Sequence, residues 1–262
     1  MIVLLVRTRE RRVKVSRLDF QRRAPNGKLE TVGYMDLQNS SDKAVLSFYG
    51  DIVGDSWGAW SYDDKYPSVV SDFFKDIDSN SPVEIHFNSC GGDVFAGIAI
   101  YNIIQRHQGE KTGYVDGLAA SIASVILCAC DKVYMCTGSQ VMIHKPWTWG
   151  YGNADDFQNI AEQLNLAEES ILDIYENHTA ENVTREDLAT AMRDETWLTT
   201  NTVGDYFDFE VDNATLLQNI AASTYMDHYK NVPRNLVGKQ TSDDEDRKKK
   251  IVEDLYLYGT QN

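Results

Sequence analysis

The sequence predicts an α/β fold with a mainly parallel sheet flanked by helices, and three observations carry that expectation. β-rich runs at 43–50, 83–88, 111–115 and 132–135 alternate with helical stretches at 66–77, 95–106 and 121–128, the order of βαβ units. The break between strand and helix is sharp where Ser89-Cys90-Gly91-Gly92 separates 83–88 from 95–106. A length of 262 residues with 42% hydrophobic content suffices for one sizeable core, so one principal domain is expected over 43–212, with extensions at 1–42 and 213–262.

In chain order, the first 28 residues carry Arg7, Arg9, Arg11, Arg12, Lys14, Arg17, Arg22, Arg23 and Lys28, although the whole chain has a net charge of −15. Such an arm suits an acidic partner or nucleic acid, or else a solvated tail or edge strand; the overall acidity disfavours general nucleic-acid binding. Residues 43–50 read as the first core strand and 66–77 as an amphipathic helix. Val83-Glu84-Ile85-His86-Phe87-Asn88 alternates as a half-buried strand should. A helix over 95–106, a strand over 111–115, a helix over 121–128 and the strand Lys132-Val133-Tyr134-Met135 follow. Residues 153–177 then set Phe157, Ile160, Ala161, Leu164, Ala167, Ile171, Ile174 and Tyr175 at helical spacing with acids between, one long amphipathic helix. Thr184-Arg185-Glu186-Asp187 opens a short helix with capping character. The charged stretch at 241–250 has no apolar periodicity and reads as a mobile extension, with a terminal helix around 251–257.

The chemistry concentrates in three places. Ala119-Ala120-Ser121-Ile122 puts a serine at a helix start, and His144 arrives shortly afterwards in Met142-Ile143-His144-Lys145-Pro146. A serine nucleophile needs a base to take its proton and donors to hold the oxyanion that forms. The Gly91-Gly92 turn can aim backbone N–H groups at a ligand beside a helix N-terminus, which makes Gly92 the first candidate donor. Ile122 is the second, because the first amides of a helix have no intrahelical acceptor. Each residue also has a plainer role, Ser121 as a helix N-cap and the glycine pair as a turn. His86, His107, His178 and His228 lie in no comparable motif and are expected to be surface or structurally satisfied histidines. Cys90, Cys128, Cys130 and Cys136 form no C-x-x-C pair, so reduced buried thiols in a cytosolic setting are expected, without disulfide, zinc or cofactor. The apolar start at 1–6 is too short to span a bilayer and precedes its positive charges, so neither membrane association nor a secretory signal is expected.

Asn88-Ser89-Cys90-Gly91-Gly92, Gly117-Leu118-Ala119-Ala120-Ser121 and Met142-Ile143-His144-Lys145-Pro146, in that order and at that spacing, resemble the ClpP family of serine peptidases. Gly91-Gly92-Asp93-Val94-Phe95-Ala96-Gly97 and Glu195-Thr196-Trp197 resemble most the ClpP-related head maturation (prohead) proteases of tailed phages and prophages. The resemblance covers about 47–212 and implies a ClpP/crotonase-like spiral of ββα units, with the 153–177 helix as a protruding handle through which rings stack. It implies a catalytic Ser121 and His144, Gly92 and Ile122 as the oxyanion hole, and an acid. Ungapped matching puts Glu195 at the acid position with Asp194 as the alternative; neighbours in an extended segment face opposite ways, so only one can reach His144. Two residues depart from the family pattern: Cys90 where proline usually precedes the glycine pair, and Phe207 where glycine often stands.

The implied function is an ATP-independent serine endopeptidase, a homo-oligomeric ring in the bacterial cytoplasm that cleaves scaffold or capsid polypeptides during head maturation. The alternatives are a degradative ClpP-like subunit working with an ATPase unfoldase, and a catalytically silent ring or scaffold protein. The chain has no Gly-x-x-x-x-Gly-Lys phosphate loop, so any ATPase partner is a separate protein.

Overall fold

The structure, a computed structural model, describes residues 14–23, 29–39, 44–52, 66–212, 225–233 and 236. One compact unit runs through Lys230, and residues 231–262 cluster separately. The outermost basic residues at 1–13 and the terminal helix expected around 251–257 fall outside the described residues.

Nine strands form the sheet among the described residues. A long antiparallel hairpin, β1 (Lys14–Arg23) and β2 (Leu29–Asn39), pairs onto β3 (Ala44–Tyr49), so part of the basic arm is the edge of the sheet. From β3 the sheet is parallel through β4 (Val83–Ser89), β5 (Lys111–Ala120), β6 (Lys132–Cys136) and β9 (Glu210–Asp212). A four-residue strand, β7 (Gln140–Ile143), pairs parallel to the end of β5 and antiparallel to β8 (Thr196–Thr199).

The inward alternation is plain in β4, where Val83, Ile85 and Phe87 are buried while Glu84 and His86 are partly exposed. β5 is longer than its sequence suggests. Asp116-Gly117 looks like a turn, yet the strand continues through it to Ala120 because its first half pairs with β6 and its second with β7. Burying Asp116 in mid-strand is possible because its carboxylate accepts from the Tyr49 hydroxyl and lies 3.0 Å from His86 Nδ1.

Helices α1 (Tyr66–Asp76), α2 (Val94–Gln105) and α3 (Ile122–Leu127) pack apolar faces into one core with β3, β4 and β5. The long helix α4 (Ala154–Tyr175) opens on a capping box, Asn153 with Asp156, and α5 (Arg185–Arg193) opens on another, Thr184 with Asp187. The α4 stripe divides in two. Ala167, Ile171, Ile174 and Tyr175 are buried in the chain's own core, whereas Phe157 remains 52% exposed, joined by Leu166 at 69%.

All four cysteines are free and buried, and burial with the charge of Asp116 pushes the Cys136 thiol up to about 11, so it stays protonated near neutrality. His107 Nε2 lies 2.7 Å from the Ser81 carbonyl oxygen, His178 pairs with Asp208 at 3.0 Å and His228 packs on Trp147, all structural settings. Among the described residues no helix is long and apolar enough to cross a membrane.

Gly97, inside α2, sits against the first residue of α3: a Cβ there would meet Ile122 Cγ1 at 2.1 Å. Gly97→Ala would gain about 1 kcal/mol of helix propensity but incur about 1–3 kcal/mol of overpacking. The expected outcome is a net loss of stability with a lower denaturant midpoint; an unchanged or raised midpoint would contradict this packing.

Candidate active site

Three sequence motifs separated along the chain meet because β4, β5 and β7 are parallel neighbours, or neighbours of neighbours, that end at one edge of the sheet. The carboxyl ends of parallel strands are where open α/β sheets present ligand sites. Gly91 and Gly92 leave β4 there, Ser121 follows the last residue of β5, and His144 follows the last residue of β7.

Ser121 occupies the junction between strand and helix with φ 56° and ψ −130°, a region where non-glycine residues are rare. Such a conformation costs about 1–3 kcal/mol and persists only where surrounding contacts impose it. Here Ser121 N–H donates to the Met142 carbonyl at 2.8 Å, and Ser124 N–H donates to the Ser121 carbonyl at 2.9 Å. The Ser124 hydroxyl also bonds that carbonyl at 2.5 Å and lies 2.7 Å from the Tyr175 hydroxyl. The Ser121 side chain makes no capping bond to α3, so the plain N-cap role is not what holds it. Its Oγ is instead 2.8 Å from His144 Nε2.

His144 is fixed from both sides. Behind it, Ile143 pairs with Thr196; ahead, Lys145 N–H donates to the Met192 carbonyl at 3.1 Å and Lys145 Nζ pairs with Glu168 of α4 at 2.8 Å. Continuing the antiparallel β7–β8 register by one residue puts His144 opposite Glu195. Burial pushes the imidazole down to about 4, against the Glu195 carboxylate, which favours the charged form, and with the Lys230 ammonium, which disfavours it. At neutral pH the ring is therefore uncharged and can accept a proton from Ser121.

The two carboxylates divide as their backbone dictates, although the segment is not extended as the sequence suggests. Asp194 closes α5 in a right-handed helical conformation and is exposed; Glu195 turns to φ 51° and is buried. One Glu195 oxygen accepts from the Trp197 indole at 3.3 Å and the other from the Lys230 backbone N–H at 2.8 Å.

The glycine pair lies against the serine. A Cβ on Gly91 would stand 2.7 Å from Ser121 Cβ and 3.2 Å from Ile122 N. Gly92 forms a parallel bridge with Ile52: Ile52 N–H donates to Gly91 and Asp93 N–H donates back to Ile52, each at 2.8 Å. In that pattern the N–H of Gly92 points away from Ile52 and stays available to a ligand. A Cβ on Gly92 would fall 1.8 Å from the Ile52 oxygen, so only glycine fits. Asp93 caps α2 by accepting from Ala96 N–H at 2.7 Å, which orients the turn.

Three participants escape sequence reading. Trp197 is visible only as part of the Glu195-Thr196-Trp197 element, with nothing to mark its indole as a donor to the acid. Tyr229 and Lys230 come from beyond Asp212, where no motif points to them; the Tyr229 hydroxyl donates to the Cys90 carbonyl. Among the described residues no group of three or more His, Cys, Asp or Glu side chains could hold a metal ion.

Comparison with known proteins agrees with this architecture. The family model for Clp protease matches residues 63–206. The ATP-dependent Clp protease proteolytic subunit of Bdellovibrio bacteriovorus is 30% identical over 158 residues, 56% of this chain and 74% of the relative. That of Borreliella afzelii is 32% identical over 143 residues, 53% of this chain and 72% of the relative. The structure of a ClpP1 mutant from Listeria monocytogenes superposes with a TM-score of 0.53 at 21% identity, covering 64% of this chain and 91% of that one, which shows the shared fold. The chain belongs to the Clp protease family and is a serine peptidase of the ClpP type.

Proposed function

We propose that Ser121, His144 and Glu195 form the catalytic triad of an endopeptidase, with Gly92 and Ile122 N–H as its oxyanion hole. The observation that carries this reading is the 2.8 Å approach of Ser121 Oγ to an uncharged His144 Nε2. His144 takes the serine proton as Oγ attacks the scissile carbonyl, and the two amides hold the resulting oxyanion. The imidazolium, stabilised by Glu195, gives its proton to the leaving amine. His144 then takes a proton from water, which attacks the acyl carbonyl, and gives that proton to the Ser121 oxygen as the acyl group leaves. An extended polypeptide adding as a strand beside the glycine segment would be held chiefly by backbone bonds, with little sequence selectivity.

Two biological settings each have an observation in their favour. The glycine-rich 91–97 motif and a glutamate in the acid position support ATP-independent cleavage of phage scaffold or capsid proteins within a bacterial cytoplasm or procapsid. The names of the relatives support a degradative subunit served by an ATPase unfoldase. Cleavage of a folded substrate, with and without ATP and a cognate unfoldase, separates them: ATP-independent processing of a co-expressed scaffold supports the first, strict dependence the second.

In either setting the exposed apolar residues of α4 support assembly into a homo-oligomeric ring, since Phe157 near its start and Leu166 just past its middle have no cover from their own core. Phe157→Asp with Leu166→Asp is expected to split the oligomer in light scattering while the monomer stays folded, because neither residue is buried. A wild-type protein that is an active monomer would remove the assembly claim.

Ser121→Ala and His144→Ala are each expected to lower peptide hydrolysis on the order of 10⁴-fold or more, with the double variant no worse than either single one. Glu195→Gln should cost on the order of 10²- to 10⁴-fold and Asp194→Asn at most about twofold. The reverse ranking transfers the acid role to Asp194.

Labelling of Ser121 by a fluorophosphonate tests its nucleophilicity directly, and absence of labelling supports a silent scaffold protein. Below its pKa His144 already holds a proton and cannot take one from Ser121, so the acid limb of kcat/KM is expected near pH 4, not near 6.5. A limb at 6.5 would show that His144 is solvated in the working enzyme.

A further inference from the structure

We propose that the segment carrying Tyr229 and Lys230 is a positioning element of the active site, in which the Lys230 backbone N–H holds Glu195 against His144 and the Tyr229 hydroxyl fixes the Cys90 carbonyl beside the glycine pair. The inference rests on the Ser121–His144–Glu195 reading and adds to it a part of the chain that follows the matched 63–206 stretch.

The contacts of this short segment reach both sides of the site. On the acid side, the Lys230 N–H donates to Glu195 Oε2 at 2.8 Å, while the Trp197 indole holds the other oxygen at 3.3 Å. A carboxylate with a donor on each oxygen is fixed in rotation about its last bond, and the imidazole facing it inherits that orientation. On the donor side, the Tyr229 hydroxyl binds the carbonyl of Cys90, the residue just before Gly91-Gly92. Between them the buried Tyr229 ring meets His144 edge to face, with centroids 5.2 Å apart at 75°, and Trp197 at 6.0 Å. That packing restricts rotation of the imidazole and keeps water from it. His228 anchors the approach to this segment on Trp147, with ring centroids 4.4 Å apart. Ser121 remains partly exposed with its Oγ bonded to His144, so the segment braces the pair and leaves the nucleophile open.

The bracing also accounts for the charge environment. Among the described residues the charged groups acting on His144 are Glu195, ahead of β8, and the Lys230 ammonium of this segment, while the Ser121 hydroxyl from the β5–α3 junction and the Tyr229 ring touch it as neutral groups. Burial lowers the imidazole pKa most, Glu195 opposes it and the Lys230 charge adds to it.

The test uses the full chain, fluorophosphonate labelling of Ser121 and steady-state hydrolysis of a fluorogenic peptide. Lys230→Pro deletes the N–H that Glu195 accepts; kcat is expected to fall about tenfold or more with KM within about twofold. Lys230→Ala keeps the N–H and removes the charge: it should recover most of that loss and move the acid limb to higher pH, since one group that disfavours imidazolium is gone. Tyr229→Phe should lower kcat several-fold at unchanged melting temperature, and it carries the test if Lys230→Pro does not fold. Full activity in Lys230→Pro or in Tyr229→Phe overturns the proposal, as does faster turnover in Tyr229→Ala, which would make the segment a plug. A wild-type chain that fails to label at Ser121 would instead defeat the triad reading, a distinct result.

Discussion

The site depends on the double pairing of one four-residue strand. β7 is held parallel to β5 on one side and antiparallel to β8 on the other, and each pairing sets a different distance. The parallel register, Ala120 with Met142, sets the end of β5 close to the end of β7 and so brings Ser121 within reach of His144. The antiparallel register, Ile143 with Thr196, sets Glu195 across from the same histidine. A slip of one residue in either ladder would move every side chain of β7 to the opposite face. Full burial of β7, all four of whose residues lie inside the protein, opposes such a slip.

Much of this was legible in the sequence, for a definite reason. Ser121 and His144 each sit at the end of a short apolar run and the glycine pair at the end of an alternating one, and strand ends are where periodicity breaks and special residues stand out. The extent of β5 was not legible. Asp116-Gly117 has turn chemistry, and partners distant in the chain, Tyr49, His86 and Cys136, make a buried aspartate tolerable there. The choice between Asp194 and Glu195 stayed open for a similar reason. Treating the segment as extended gave the correct conclusion that the two carboxylates diverge, but the divergence arises from a helix end followed by a left-handed residue. The amphipathic stripe of α4 could be read but not apportioned, because a buried half and an uncovered half share one periodicity. The approach of Tyr229 and Lys230 depends on contacts with residues far away in the chain and leaves no local trace.

The electrostatic design separates two kinds of titratable group. The thiols of Cys128, Cys130 and Cys136 and the Tyr175 hydroxyl are buried, and burial pushes their pKa values up and keeps them neutral. The imidazole of His144 is neutral too, but beside a carboxylate and facing a partly exposed hydroxyl. Its proton affinity is low, and the carboxylate of Glu195 is the group that favours the ring when it is protonated. That arrangement favours charge that appears during reaction over charge present beforehand.

The left-handed backbone at Ser121 sets stability against reactivity at a single dihedral angle. Glycine adopts φ 56° and ψ −130° without penalty, so Ser121→Gly relieves the strain that the surrounding hydrogen bonds now sustain, and does so by deleting the hydroxyl that meets His144. Under selection for robustness alone this position would drift toward glycine. A serine there holds a strained backbone and with it a hydroxyl 2.8 Å from an imidazole, a pairing that glycine cannot make.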